Sequence, residues 1–324
     1  MALPDKIRRH LTLPAFSAPM FLCSSPQLAA ECRMAGIVGS LTMNDCRDDA
    51  EFETRLAFVS EAVARFADES PDAVTGPLAV NIAPTIAPER FAALLDMSER
   101  HGASIVVTSV GNPTAVSPVI KDRGLFHFHD ITNIRFAEKA AQAGVDGMIA
   151  IGAGGGGHAG TISHLALIPK IRSGFDGVIV MAGAVSSGAV IRAAEVLGAD
   201  LAYLGTRMIA TKEASAPDAY KAMLVAGGVE DVIFTRGVNG LPASWLKASL
   251  REIGLDADNL FIPEGRSTEH LPEGKTPWRD IWSGGQGIGL IDDIPSVGEL
   301  VARLREEYIA ACATPDMAEV AGKA

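Results

Sequence analysis

Five glycines lead into a histidine in Gly152-Ala153-Gly154-Gly155-Gly156-Gly157-His158-Ala159-Gly160. Glycines lack a Cβ, so the backbone N–H groups of such a run can approach a flat or phosphorylated ligand closely. The imidazole of His158, placed at the end of the run, exchanges a proton near neutrality or, as the neutral ring, hydrogen-bonds a substrate. No serine or cysteine nucleophile motif accompanies it. Nor do the cysteines and histidines show metal-ligand spacing, so no metal is expected and the difficult chemistry falls to a bound organic cofactor.

Gly152, Gly154 and Gly157 also spell G-x-G-x-x-G, the dinucleotide fingerprint. That fingerprint belongs to the first βα turn of its domain, whereas several strand-like segments precede this one, and Asp176 lies in the turn-like Phe175-Asp176-Gly177. A Rossmann fold is therefore set aside. The short apolar, β-branched run Val145–Ile151 reads as a buried strand delivering the glycines to its C-terminal end.

Strand-like runs alternate with helical patterns from the N-terminus onward. The pairs are 15–19 with 26–35, 37–41 with 51–67, 78–82 with 88–100, and 104–110 with a short polar helix at 115–122. Then come 125–129 with 134–143, 145–151 with 163–172, 178–182 with 188–197, and 201–204 with a helix opening near Thr206. Eight consecutive βα units at a spacing of about 20–30 residues predict an α/β fold of the (β/α)8 (TIM) barrel type, with its site at the C-terminal strand ends. Residues 1–212 form the expected barrel. Residues 213–288, with a helix near 216–226, a Gly/Pro-rich stretch and Trp245, Trp278 and Trp282, read as a helical and loop lid over the site. Residues 289–324 hold an amphipathic helix at 297–308 that packs back on the barrel, and a frayed tail from Thr314.

At 324 residues, 48% hydrophobic with 33 glycines and 6% aromatic side chains, the chain can bury a large core of small aliphatics. A formal charge of −11 argues against a nucleic-acid partner, which needs clustered Lys and Arg. The longest uncharged apolar stretches, such as 104–110, are far shorter than the roughly 20 residues that span a bilayer, and no export signal is visible. The expectation is a soluble, cytoplasmic protein whose Cys23, Cys32, Cys46 and Cys312 are free thiols.

Within the barrel frame, Gly183 and Ala184 follow the seventh strand, and Gly205-Thr206-Arg207 follows the eighth. Their N–H groups can converge on one anion, the phosphate-cup position of many barrels. Arg207 adds charge there or pairs with an acid outside the barrel. Met20 ends the first strand, where a proline-fixed backbone and a soft thioether can meet a flat ring. Asn81 is an amide in an apolar strand, to be satisfied by a ligand edge or by neighbouring backbone. His127 and His129 share one side of the fifth strand and read as a satisfied core pair, with His129 near the strand end and able to face the pocket. His10, His101, His164 and His270 read as surface or capping residues. A flat, phosphorylated cofactor for this layout is flavin mononucleotide (FMN).

These segments together resemble the nitronate monooxygenase family, formerly called 2-nitropropane dioxygenases. The resemblance rests on Ala18-Pro19-Met20, Val80-Asn81, Ala143-Gly144-Val145-Asp146-Gly147, Gly156-Gly157-His158-Ala159-Gly160, Leu197-Gly198-Ala199-Asp200 running into Leu204-Gly205-Thr206-Arg207, and Trp282-Ser283-Gly284-Gly285-Gln286-Gly287. It implies FMN on a TIM barrel, contacted by Pro19, Met20, Phe21, Asn81, Gly156, Gly157 and the Ala182-Gly183-Ala184 turn. The phosphate would rest on Gly183, Ala184, Gly205 and Thr206, with Gly285 and Gln286 closing over the ring and His158 beside the substrate. The implied reaction is oxidation of an alkyl nitronate by O2 to a carbonyl compound and nitrite. Two departures bear on substrate and electron donor: some relatives carry a lysine where this chain reads His129-Asp130-Ile131-Thr132, and their S-G-G turn is Ala182-Gly183-Ala184 here. Alternatives are an NAD(P)H-dependent quinone or enoyl-thioester reductase on the same scaffold, and a non-catalytic FMN-binding protein. The resemblance is compatible with a homodimer.

Overall fold

A computed structural model describes residues 3–313. The tail expected to fray, from Thr314, lies outside the described residues. The barrel strands are β1 (Ala15–Ser17), β2 (Gly39–Thr42), β3 (Leu78–Asn81), β4 (Ala103–Thr108), β5 (Phe126–Ile131), β6 (Gly147–Ile151), β8 (Val178–Ala182) and β9 (Leu201–Leu204). They pair in parallel in the order β1-β9-β8-β6-β5-β4-β3-β2. Phe16 bridges Val38, just before β2, where the Ser17 N–H donates to the Val38 carbonyl at 2.9 Å, so the two ends of the sheet meet. The eight expected strands are all present, and each is followed by its crossover.

Period-two alternation sorts the strand side chains. Phe16, Ile105, Val107, Phe128, Ile149, Val180 and Tyr203 fill the barrel interior, while their strand neighbours pack outward beneath the helices. Leu3 and Ile7 join the interior cluster beside the strand-start residues Val178 and Leu201, so the short helix Asp5–Arg8 stoppers that end of the barrel. The opposite end, where the strands finish, is left for the site. Asp48, Asn133 and Ser187 cap three of the outer helices through side-chain acceptors, and each helix therefore starts just after a strand-end loop.

Residues 213–288 contain more sheet than expected. The helix Asp218–Ala226 is there, but β10 (Val232–Thr235) and β11 (Ala243–Leu246) follow as an antiparallel pair. The glycine run supplies a third strand, β7 (Gly157–His158), which pairs with β11 so that His158 stands opposite Ala243. No periodicity marks a two-residue Gly-His strand, because its partner alone makes it one. Trp245, fully buried, centres a separate small core with Val238, Leu250 and Ile281. The helix Val297–Cys312, opened by a Ser296–Glu299 capping box, inserts Leu300, Val301 and Leu304 into the outer core of the barrel.

Candidate active site

A cavity of about 1610 Å³ opens at the C-terminal strand ends. Pro19, Met20 and Phe21 line it beyond β1, Asn81 lines it at the end of β3, and Gly156, Gly157 and His158 wall it beyond β6. Ala182, Gly183, Ala184, Gly205 and Thr206 line it beyond β8 and β9. Five separate strand ends thus bring eleven of the expected positions and His158 to one concavity only because the barrel closes. Gly285 and Gln286 stand elsewhere: they do not line the cavity but brace the glycine run. The Gln286 N–H donates to the Gly154 carbonyl at 2.8 Å, and the Gly285 N–H donates to Thr206 Oγ1 at 2.9 Å.

The glycine run does not open a helix, as a dinucleotide fingerprint requires; the next helix begins at His164, after β7. Gly154 and Gly157 hold φ of 86° and 62°, the left-handed region open to glycine. A Cβ on Gly156 would stand 3.0 Å from the Gly285 nitrogen and 3.2 Å from Thr206 Oγ1, so the close docking of the two loops needs glycine there.

His158 is held by its strand pairing and by aromatic contact. Its ring packs on Trp278 at 5.2 Å between centroids, and Trp278 in turn packs on buried Trp245 at 4.9 Å. Trp278 also lines the cavity and adopts φ of 64°, a strained backbone for an indole residue. Burial, and then the charge of Arg266, hold the His158 ring below the ordinary imidazole range, so it is neutral at pH 7. Its Nε2 is shut off from water without a hydrogen-bond partner.

At the other side lies the cup. Gly183 and Ala184 both sit in the left-handed region, with φ of 121° and 57°, and both line the cavity. Thr206 Oγ1 accepts from Gly285 and keeps its own proton to donate. Ser186 also lines the cavity, and its Oγ is buried without a partner. Arg207 does not join them: fully buried, it pairs with Asp293 and donates to the Ala210 and Asp293 carbonyls. Of the two roles open to it, the acid outside the barrel is the one observed.

Asn81 meets both expected kinds of partner. Its Nδ2 donates to the Val107 carbonyl and its Oδ1 accepts from Thr42, both at 3.2 Å, while one amide N–H remains on the cavity side. His127 and His129 flank the Thr108 hydroxyl, each at 2.7 Å, on the outer face of β5. One hydroxyl can donate to one ring nitrogen and accept from the other, which satisfies both rings in their neutral form. Burial lowers the two histidines to about 3 and about 4. His129 also lines the cavity at its outer arm. His164 is not a surface residue: its Nε2 lies 2.8 Å from the Ala182 carbonyl and its ring abuts Gly183, stiffening the cup from behind.

Ser186, Trp278 and Asp130 are cavity residues beyond those picked out in the sequence. For Asp130 a signal was present: in Phe126-His127-Phe128-His129-Asp130 it shares the phase of the interior phenylalanines. For Trp278 there was none, since it arrives from 120 residues downstream in sequence, on a segment without periodicity.

The fold and this concavity define an α/β barrel with a cavity at its C-terminal strand ends, lined by glycine-containing turns and by a buried neutral imidazole. A profile of the nitronate monooxygenase family matches residues 8–307, and the chain belongs to that family. A Mycobacterium tuberculosis relative that is a monooxygenase by name only is 26% identical over 69% of this chain and 64% of its own length. A (3aS,4S,5R,7aS)-5-hydroxy-7a-methyl-1-oxo-octahydro-1H-indene-4-carboxyl-CoA dehydrogenase of Rhodococcus jostii is 30% identical over 48% of this chain and 44% of its own. The chain thus spans less than two thirds of the length of those two relatives. The nitronate monooxygenase of Pseudomonas aeruginosa is 27% identical, with 94% of this chain and 99% of that one covered. Among solved structures, the nitroalkane oxidase of Streptomyces ansochromogenes superposes with a TM-score of 0.73 at 23% identity, covering 95% of this chain and 99% of that chain. That likeness is one of fold.

Proposed function

We propose that this chain is an FMN-dependent nitronate monooxygenase that oxidises alkyl nitronates with O2 to a carbonyl compound and nitrite. The observation that carries the reading is the pairing of an unpartnered, water-excluded His158 Nε2 with an anion cup across one cavity. The residues present fit the cofactor. Ser186 Oγ, the Thr206 hydroxyl and the Gly183–Ala184 N–H groups offer donors for a phosphate, and the Gly156–Gly157 backbone leaves a flat wall for a ring. Bound there, the flavin supplies the electron acceptor for the substrate and the route to O2.

The protein's own part is positioning and exclusion of water. His158, neutral and fixed by Trp278, holds a nitronate oxygen from Nε2 when that nitrogen carries the proton. In the other tautomer the same nitrogen accepts the α-proton of a neutral nitroalkane; we assign it the first role. Residues 213–288 act as the lid, since β11 anchors β7 and Trp278 covers the ring of His158. Among the described residues no helix is long and apolar enough to cross a membrane. Free thiols at Cys23, Cys32, Cys46 and Cys312 accord with a reducing, cytoplasmic setting.

The test is a visible spectrum of the purified protein, followed by anaerobic mixing with a primary alkyl nitronate and, separately, with NADH. A flavin spectrum bleached by the nitronate and restored by O2 with nitrite release is expected. Rapid bleaching by NADH alone would move the reading to a nicotinamide-dependent reductase. A colourless protein that rejects added FMN overturns it.

A further inference from the structure

Asp130 ends the inward-facing row Phe126, Phe128, Asp130 of β5, and so stands on top of the packed barrel interior, at the floor of the cavity. Among the described residues it is the one carboxylate lining that cavity. Its Oδ1 is sealed from water and has no hydrogen-bond partner. Tyr203, which reaches the same interior from β9, is close enough to feel its charge. A carboxyl in such a place, with no cation paired to it, is a liability to a fold unless it does something.

The other titratable groups facing the cavity are Cys23, His129, Lys139, His158, Tyr203 and Tyr220. Burial raises Cys23 to about 12 and lifts both tyrosines, and it lowers His129 to about 4 and His158 below its ordinary value. Burial alone raises Asp130 to about 7. Between pH 6 and pH 9, Asp130 is thus the group, among those whose burial shifts them, whose charge changes.

We propose that Asp130 is a further binding residue of the cavity, whose neutral carboxyl is the form over which a flavin ring settles, so that binding takes up one proton there. This rests on the flavin reading above. The physical cause is simple: a flat ring laid over the floor removes the water that still reaches the carboxyl, and desolvation penalises the ionised form further. By linkage, affinity is highest below the midpoint of the empty protein and falls above it, by up to tenfold per pH unit.

The experiment is titration of the apoprotein with riboflavin, which lacks the titrating phosphate, and with FMN, followed by flavin fluorescence from pH 6 to pH 9. Wild-type affinity for riboflavin should fall as the pH rises through about 7. Asp130→Asn, uncharged throughout, should bind with a flat profile, within about threefold of the wild-type value at pH 6. A variant that follows the wild-type slope, or a flat wild-type profile, overturns the proposal. Proton uptake by the wild-type protein provides a check that needs no variant: calorimetry at pH 8 in two buffers of different ionisation enthalpy should show uptake on binding, and none overturns it. FMN binding without this pH dependence sinks the role of Asp130 alone. Failure of both flavins to bind at pH 6 sinks the flavin reading with it.

Discussion

In the proposed reaction a single imidazole acts on the substrate, and its surroundings dictate how it behaves with pH. His158 is held neutral by burial and by Arg266, so protonation occurs only below the ordinary value of 6.5. If the neutral ring is the competent form, kcat/KM for a preformed nitronate stays level above pH 7 and drops on the acid side with a midpoint below 6.5. A midpoint above that value contradicts the assignment. His158→Asn should lower kcat/KM by about 10²-fold or more while leaving the flavin spectrum in place. Unchanged turnover would make the residue structural. Residue types alone pointed to His158, because a titratable ring beside five glycines stands out in any sequence. They did not point to Ser186 or Trp278, since a serine in a turn and a tryptophan in a loop acquire meaning only from what packs against them.

At the level of elements, the proposed cup depends on two βα turns, and the one after β8 is bent into the left-handed region at both Gly183 and Ala184. Ser186, one turn further on, faces the same space with an unpartnered hydroxyl. A hydrogen bond from it to a charged phosphate contributes about 1.5–3 kcal/mol. Ser186→Ala should therefore weaken FMN binding roughly 10- to 100-fold and leave riboflavin binding unaltered. Equal losses for both ligands would place Ser186 against the ring rather than the phosphate. The turns themselves were legible from glycine positions after apolar strands. The third strand of the small sheet was not: Gly157–His158 is extended only because β11 offers it a ladder, and β11 lies 85 residues away in sequence. The docking of Gly285 and Gln286 onto Gly154 and Thr206 has the same origin.

The whole molecule is a barrel stoppered at one end and functional at the other. Ile7, fully buried, belongs to the interior cluster that the strands enclose. Its replacement by alanine should cost about 2–5 kcal/mol in urea unfolding without altering flavin affinity, because the cavity lies at the opposite strand ends. A loss below about 0.5 kcal/mol would mean that the N-terminal helix does not seal the barrel. The eight βα units, their order and their shared C-terminal edge were determined by local pattern: a strand of alternating or continuous apolar residues and a helix of period 3.6 announce themselves within a dozen residues. The same pattern announced the candidate cofactor wall, the cup and His158, each at a strand end. The alternation of β5 put Asp130 in phase with its phenylalanines, and the tertiary structure turned that phase inward, so that Asp130 sits at the cavity floor. The tertiary structure alone turned Arg207 away toward Asp293, set His164 behind the cup, and brought Trp278 onto His158. Those outcomes hang on barrel closure and on contacts between distant segments, which burial energy selects across the whole chain and no local stretch encodes.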